Sequence, residues 1–271
     1  MKLAIAILLL ACTSARAERA EPDEPTISYK RLYVRAGVLH MRAFSDSREL
    51  VLSDVHGPAS VAVMDGPIAG SGAAIDALTV PAVIAGYTLP ILDDRLSLET
   101  VLSTPIHIKF RATGTLKDMS IAPEALGIPT GVPALGSELG EADAAPPIVT
   151  AVYKHFEGPV QPYVGAGLTV LVTYNARATN PVLTSAGAPR FTIDPAPGLV
   201  LQSGIDVKLW KGVHARLDVK YIAFLKARAT VEDIEVATPE IPLLEKAEVG
   251  KAWTSMWVNP LIVHLGIGVD L

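Results

Sequence analysis

The stretch HARLDVKYIAF, residues 214–224, alternates between two chemically different sets of side chains. Val213, Ala215, Leu217, Val219, Tyr221 and Ala223 fall on one face, while His214, Arg216, Asp218, Lys220, Ile222 and Phe224 fall on the other. A period of two is the signature of a β-strand, whose successive side chains point to opposite sides. A soluble sheet turns the apolar face inward, whereas a membrane barrel turns it outward to lipid. The rest of the chain decides between them.

The sequence has 271 residues, 50% hydrophobic and 19% charged, with a formal net charge of -5. The acidic balance and the absence of a Lys/Arg run exclude nucleic acid as a partner, because its phosphates demand a basic footprint. The start, MKLAIAILLLACTSARA, has Lys2, an apolar stretch from Leu3 to Ala11, and Ala15-Arg16-Ala17 as a cleavage site. It reads as a secretory signal over residues 1–17, leaving 18–271 as a single domain. Leu9-Leu10-Ala11-Cys12 also matches a lipoprotein box, although the signal would then be very short. Cys12 is the only cysteine, so the exported chain has no disulfide framework, zinc cluster or thiol nucleophile. No cofactor is expected.

No stretch after the signal offers the run of apolar residues that a membrane helix needs, so any span must be made of strands. Alternation bounded by turn residues predicts about eight strands, near 30–42, 79–90, 95–110, 147–156, 161–175, 198–210, 213–229 and 252–271. Short links around Asp93-Asp94, Glu157-Gly158-Pro159 and Lys211-Gly212 alternate with long ones at about 43–78, 111–146, 176–197 and 230–251. Strict alternation of this kind predicts an eight-stranded antiparallel up-and-down transmembrane β-barrel with its long loops outside. The faces agree. Leu96, Leu98, Leu102, Ile106, Ile108 and Phe110 share a face opposite Glu99, His107, Lys109 and Arg111; Leu199, Leu201, Ile205, Val207 and Leu209 oppose Gln202, Asp206 and Lys208. Phe110, Tyr174 and Trp257 are expected near the outer interface, and Tyr87 and Tyr153 near the inner one.

The segments LSLETVLSTPIHIKFRATG (96–114), PPIVTAVYKHFEGPVQPYVGAGLTVLVTYN (146–175), SGIDVKLWKGVHARLDVKYI (203–222) and WVNPLIVHLGIGVDL (257–271) resemble the OmpW family of small eight-stranded outer-membrane proteins. YVRAG (33–37) resembles the family's opening strand, whereas 43–78 and 111–146 look like loop expansions. The resemblance implies a narrow, monomeric, porin-like barrel in the outer membrane of a Gram-negative-type cell. Its partners would be outer-membrane lipid and small hydrophobic solutes, which it passes across the membrane with lateral release from the wall. Where the family narrows its lumen with a Leu and a Trp, this chain has Val101 and Lys220. A structural or adhesive barrel with partner-binding loops is the alternative function.

The expected lumen carries Arg35, Glu99, His107, Lys109, Arg111, Lys154, Asp206, Lys208, Arg216, Asp218 and Lys220. An eight-stranded interior is only wide enough for side chains, so most of these charges are expected to fill it as ion pairs. His107 and His264 lack metal-ligand spacing. Ser103 and His107 share a face, weak grounds for a lipid hydrolase, and no enzyme is expected. In the 203–222 hairpin, like charges would meet if Trp210 paired with His214. The register that sets Asp206 opposite Arg216 is therefore expected, with Gly212 left-handed in a three-residue loop.

Overall fold

The computed structural model describes residues 31–241 and 244–271; the expected signal at 1–17 lies outside the described residues. Eight strands form the barrel: β1 (Leu32–Ser47), β2 (Leu78–Thr88), β3 (Leu96–Ser103), β4 (Ile148–Lys154), β5 (Val160–Leu171), β6 (Ala196–Trp210), β7 (Val213–Ala223) and β8 (Lys246–Asp270). Each pairs antiparallel with the next, and β8 returns to β1 along Tyr33↔Asp270 to Ser47↔Met256, closing the sheet on itself. Closure removes free strand edges, which hydrocarbon does not tolerate.

The faces are inverted relative to a soluble protein. Leu168 is 68% exposed and Leu265 65%, with Leu98, Val164, Leu201, Leu217 and Ile267 also exposed, while Glu99, Asp206, Arg216, Asp218 and Lys220 are buried. Apolar side chains outside and charges inside fit a lipid solvent. The β6–β7 hairpin has Asp206 opposite Arg216 and Lys208 opposite His214, with Gly212 at φ 74°, but its turn is the two residues Lys211-Gly212 rather than three, because a bulge at Leu209 lets Trp210 pair with Val213 without changing the register below it. That left-handed conformation lets the short loop turn without a Cβ clash.

Outside the membrane the staves continue as a crown of two sheets. One has the order Thr173–Ala178, Glu138–Ala144, Ile106–Gly114, Ser71–Ile75. The other is made by the outer half of β8 with Lys226–Ala237, whose far edge pairs with Arg190–Ile193. The long links are thus partly strands rather than irregular loops. Their signal in the sequence is faint because the inward residues of Glu138–Ala144 are Gly140, Ala142 and Ala144, too small to mark an apolar face. Between the sheets lies an apolar core that includes Leu52, Leu116, Leu135, Leu183, Ile234 and Val249.

Strand three departs from its expected single face. Thr104-Pro105 breaks it, so that Leu98 and Leu102 point to lipid whereas Ile106, Ile108 and Phe110 point inward. Phe110 is therefore not an interface aromatic; it is buried and meets Phe191 edge-on at 5.5 Å. Tyr174 and Trp257 are exposed as expected, joined by Phe44 and Phe224.

Leu217 and Met64 test the boundary between lipid and water. Leu217→Arg is expected to cost about 2–4 kcal/mol of stability in bilayers, as for a charge on the lipid face of a barrel. Met64→Arg, in the crown and 82% exposed, is expected to be near neutral. Equal losses in bilayer unfolding titrations would contradict the assignment of faces.

Candidate functional site

The lower lumen is filled by an ionic network. Arg216 donates through Nε and Nη2 to the two carboxylate oxygens of Asp206, both at 2.6 Å, and through Nη1 to Glu99 at 2.6 Å. Lys154 Nζ donates to Asp206 at 2.7 Å, Arg35 Nη2 to Asp270 at 2.6 Å, and Lys220 pairs with Asp218. Arg35, Lys154, Arg216 and Lys220 thus face Glu99, Asp206, Asp218 and Asp270, so the cluster is neutral as a whole. Neutral partners complete it: Tyr33 donates to Glu99 at 2.6 Å, Tyr163 to Asp218 at 2.7 Å, and Gln202 to both carboxylates.

Glycines make room for this plug. A Cβ on Gly86 would lie 2.1 Å from the Tyr33 ring, and one on Gly204 would lie 2.3 Å from the Tyr163 hydroxyl. The two tyrosines therefore lie across bare backbone, with the Arg216 guanidinium 4.7 Å from the Tyr163 ring centre and 5.4 Å from that of Tyr33. Stacking a desolvated guanidinium on aromatic faces adds to its ion pairs. His264, 1% exposed and opposite both Leu39 and Asp218, lies where the plug meets apolar side chains.

Above the plug the character changes completely. A cavity of about 60 Å³ is lined by residues including Leu39, Met41, Val101, Ile106, Ile148 and Leu225. A second, of about 70 Å³, lies higher between the crown sheets among Phe110, Leu135, Leu139, Phe191, Val231 and Met256. The sequence marked the plug because charges interrupt strands visibly. It missed the apolar column, part of whose lining comes from segments that change facing at Thr104-Pro105 and Phe224-Leu225.

The barrel wall is interrupted beside the lower cavity. The β2–β3 ladder stops at Ala82↔Ser103, and the same register resumes outside at Ile75↔Phe110. Between them, residues 77–81 and 104–108 have no ladder to each other, and by register Val80 would face Pro105 and Pro81 would face Thr104. Each proline lacks the N–H the ladder needs. On the other side of β3 the ladder to β4 ends at Val149↔Thr100 and resumes at Ala144↔Ile106, with Pro146 and Pro147 in the gap. Ser103 borders both the inner cavity and an outer depression formed with Pro81, Leu102 and Thr104. A comparable break, between Leu199↔Ala223 and Ile193↔Ala229, is occupied by buried Leu225.

Of the residues expected in the lumen, Arg35, Glu99, Asp206, Arg216, Asp218 and Lys220 converge in the plug, and Val101 lines the lower cavity. His107 and Lys109 do not belong to the lumen, because the break at Thr104-Pro105 reverses the facing of the segment that carries them. His107 lies on the exposed outer side of the crown, its Nε2 2.8 Å from Glu141 and its Nδ1 3.1 Å from Asp143. Among the described residues no hydrogen bond joins it to Ser103.

A family model described as the OmpW family matches residues 32–270. The chain belongs to the OmpW family. It is an outer-membrane barrel, similar in fold to the outer membrane protein OprG from Pseudomonas aeruginosa (17% identity, TM-score 0.65, 88% of this chain and 94% of that one). It is also similar to the outer membrane protein AlkL, determined in lipid bilayers (19% identity, TM-score 0.50, 95% of each chain). No curated protein matches the sequence.

Removing one member of the plug leaves buried charge behind. Arg216→Met, which strips Glu99 and Asp206 of their shared cation, is expected to cost about 3–5 kcal/mol. Combining it with Asp206→Asn should cost clearly less than the sum, a coupling measurable in a double-mutant cycle. Additive losses would mean that the pair is not energetically linked.

The His107 trio gives a pH dependence outside the membrane. Hydrogen bonds to Asp143 and then Glu141 raise the His107 pKa above its usual value. Its contribution to crown stability is therefore complete below the unfolded value of about 6.5 and is lost as pH rises through the raised folded value. Asp143→Asn should return the His107 NMR titration toward the ordinary value; an unchanged titration would show that Asp143 is not the cause.

Proposed function

We propose that this OmpW-family barrel carries small hydrophobic molecules inward through the apolar interior of its crown and releases them sideways into the outer leaflet at the end of β3. One observation carries the reading. The apolar interior ends below on a paired ionic network and beside it on a wall segment from which prolines have removed the ladder. A solute travelling down the column meets charge ahead, where desolvation is costly, and lipid to the side, where it is favoured.

Glu99, Asp206, Arg216, Asp218 and Lys220, together with Arg35, would act as the floor that turns the solute aside, and Val101 as part of the last apolar surface before exit. His107 and Lys109 would take no part. That AlkL-type barrels share the fold is consistent with this reading, and the acyl-chain region beside Leu102 offers the apolar destination it requires.

The test exploits a chain without cysteine after its expected signal. Pro81→Cys with Thr104→Cys places two thiols at register-matched positions on the outer depression. In liposomes the reduced protein should admit a fluorescent hydrophobic solute above empty controls, and oxidation should lower uptake at least tenfold, reversibly with dithiothreitol. Unaffected uptake after verified cross-linking would dismiss the lateral route. No uptake by the native barrel would dismiss transport and leave the structural or adhesive reading.

A further inference from the structure

On the outer wall of β8 and its two neighbours, the lipid-facing row changes abruptly from apolar to cationic. Along β1 the exposed face runs Val38, His40, Arg42, Phe44; beyond β7, exposed Phe224 is followed by Lys226 and Arg228. Backbone pairing brings these segments to opposite sides of one strand, with Arg42 beside Leu261 and Phe44 beside Asn259 on β8, and Lys226 beside Trp257 and Arg228 beside Ser255. All lie just outside the apolar band, on the side of the crown.

Each cation is laid on an aromatic ring. Arg42 sits 5.6 Å from the Phe44 ring centre, Lys226 5.7 Å from that of Trp257, and Arg228 4.3 Å from that of Trp253. Several other cations on the crown's outer surface are held by acids: Arg111 by Asp76, Arg177 by Glu141, Lys246 by Glu235, and Lys251 by Asp54 and Glu232. Among the described side chains, no carboxylate lies within ion-pair distance of Arg42, Lys226 or Arg228. Three cations held by rings rather than carboxylates keep their charge available to an anion, and the rings beneath them suit the boundary between acyl chains and headgroups.

We propose that this belt binds the phosphorylated headgroup of an outer-leaflet glycolipid, with the lipid's acyl chains against Val38, Leu265 and Phe224 and its phosphates on Arg42, Lys226 and Arg228. The lipid is the fitting source of the phosphate because the cations directly continue a lipid-facing surface. Arginine and lysine supply the phosphate contacts, the former with a planar fork. The inference is independent of solute transport.

The experiment reconstitutes the full barrel in phosphatidylcholine nanodiscs containing a few per cent lipid A, and reads retained lipid by native mass spectrometry and Trp fluorescence. The native protein is expected to retain lipid A at least tenfold better than its dephosphorylated form. The Arg42→Gln, Lys226→Gln, Arg228→Gln triple variant should lose that preference, whereas Lys251→Gln, which removes a cation already held by two acids, should keep it. Millimolar inorganic phosphate should not displace the lipid. Folding of the triple variant is confirmed by heat-modifiable gel mobility, and if it fails to fold, Lys226→Gln alone supplies the reading through a reduced preference. Equal retention of both lipid A forms by the native protein, an undiminished preference in the variant, or displacement by free phosphate would overturn the proposal.

Discussion

In hydrocarbon a backbone N–H or C=O without a partner costs several kcal/mol, and this single requirement governs the rest of the molecule. The β8–β1 ladder closes the sheet and meets it around the circumference. Once closed, a barrel of eight strands has an interior just wide enough for side chains, so whatever points inward must pack or pair. The same requirement gives meaning to the exceptions. Where Pro81, Pro105, Pro146 and Pro147 gather around the end of β3, the ladder lapses beside an apolar cavity.

The interior is divided by chemistry rather than by shape. Below, Arg216 binds Glu99 and Asp206 at once, and removal of either carboxylate would leave a cation without its full complement in a dry site. Above, the residues that line the two cavities are almost all aliphatic or aromatic. The halves differ accordingly: the first is packed with paired charges, whereas the second presents an apolar surface. Lys220 belongs to the first half, bound to Asp218, and its long charged side chain occupies space that an aromatic ring would otherwise leave apolar.

The crown changes what the long links mean. They are partly sheet, carrying several of the barrel's staves beyond the membrane and packing around Leu52, Leu116 and Ile234. Their outer surfaces have a charge arrangement of their own, with several cations matched by acids while Arg42, Lys226 and Arg228, on the strands flanking β8, are laid on aromatic rings.

The sequence by itself determined the barrel: the strands near Leu201, Leu217 and Leu265, the alternation of short and long links, and the Asp206–Arg216 register. These are local consequences of period-two alternation and of like charges avoiding each other across a hairpin. It also marked Arg35, Glu99, Asp218 and Lys220, because a charge on the polar side of a membrane strand has only the lumen to enter. What only the tertiary structure decided is where facing reverses. Thr104-Pro105 looks in the sequence like one more pair of residues in an alternating strand, yet it turns His107 and Lys109 out and Ile106, Ile108 and Phe110 in. Whether a proline kinks a strand, bulges it or merely ends a ladder depends on what its neighbours across the sheet can donate. Here those neighbours, Val80, Pro81 and Pro146-Pro147, lie more than twenty residues away along the chain on either side, and only folding brings them together.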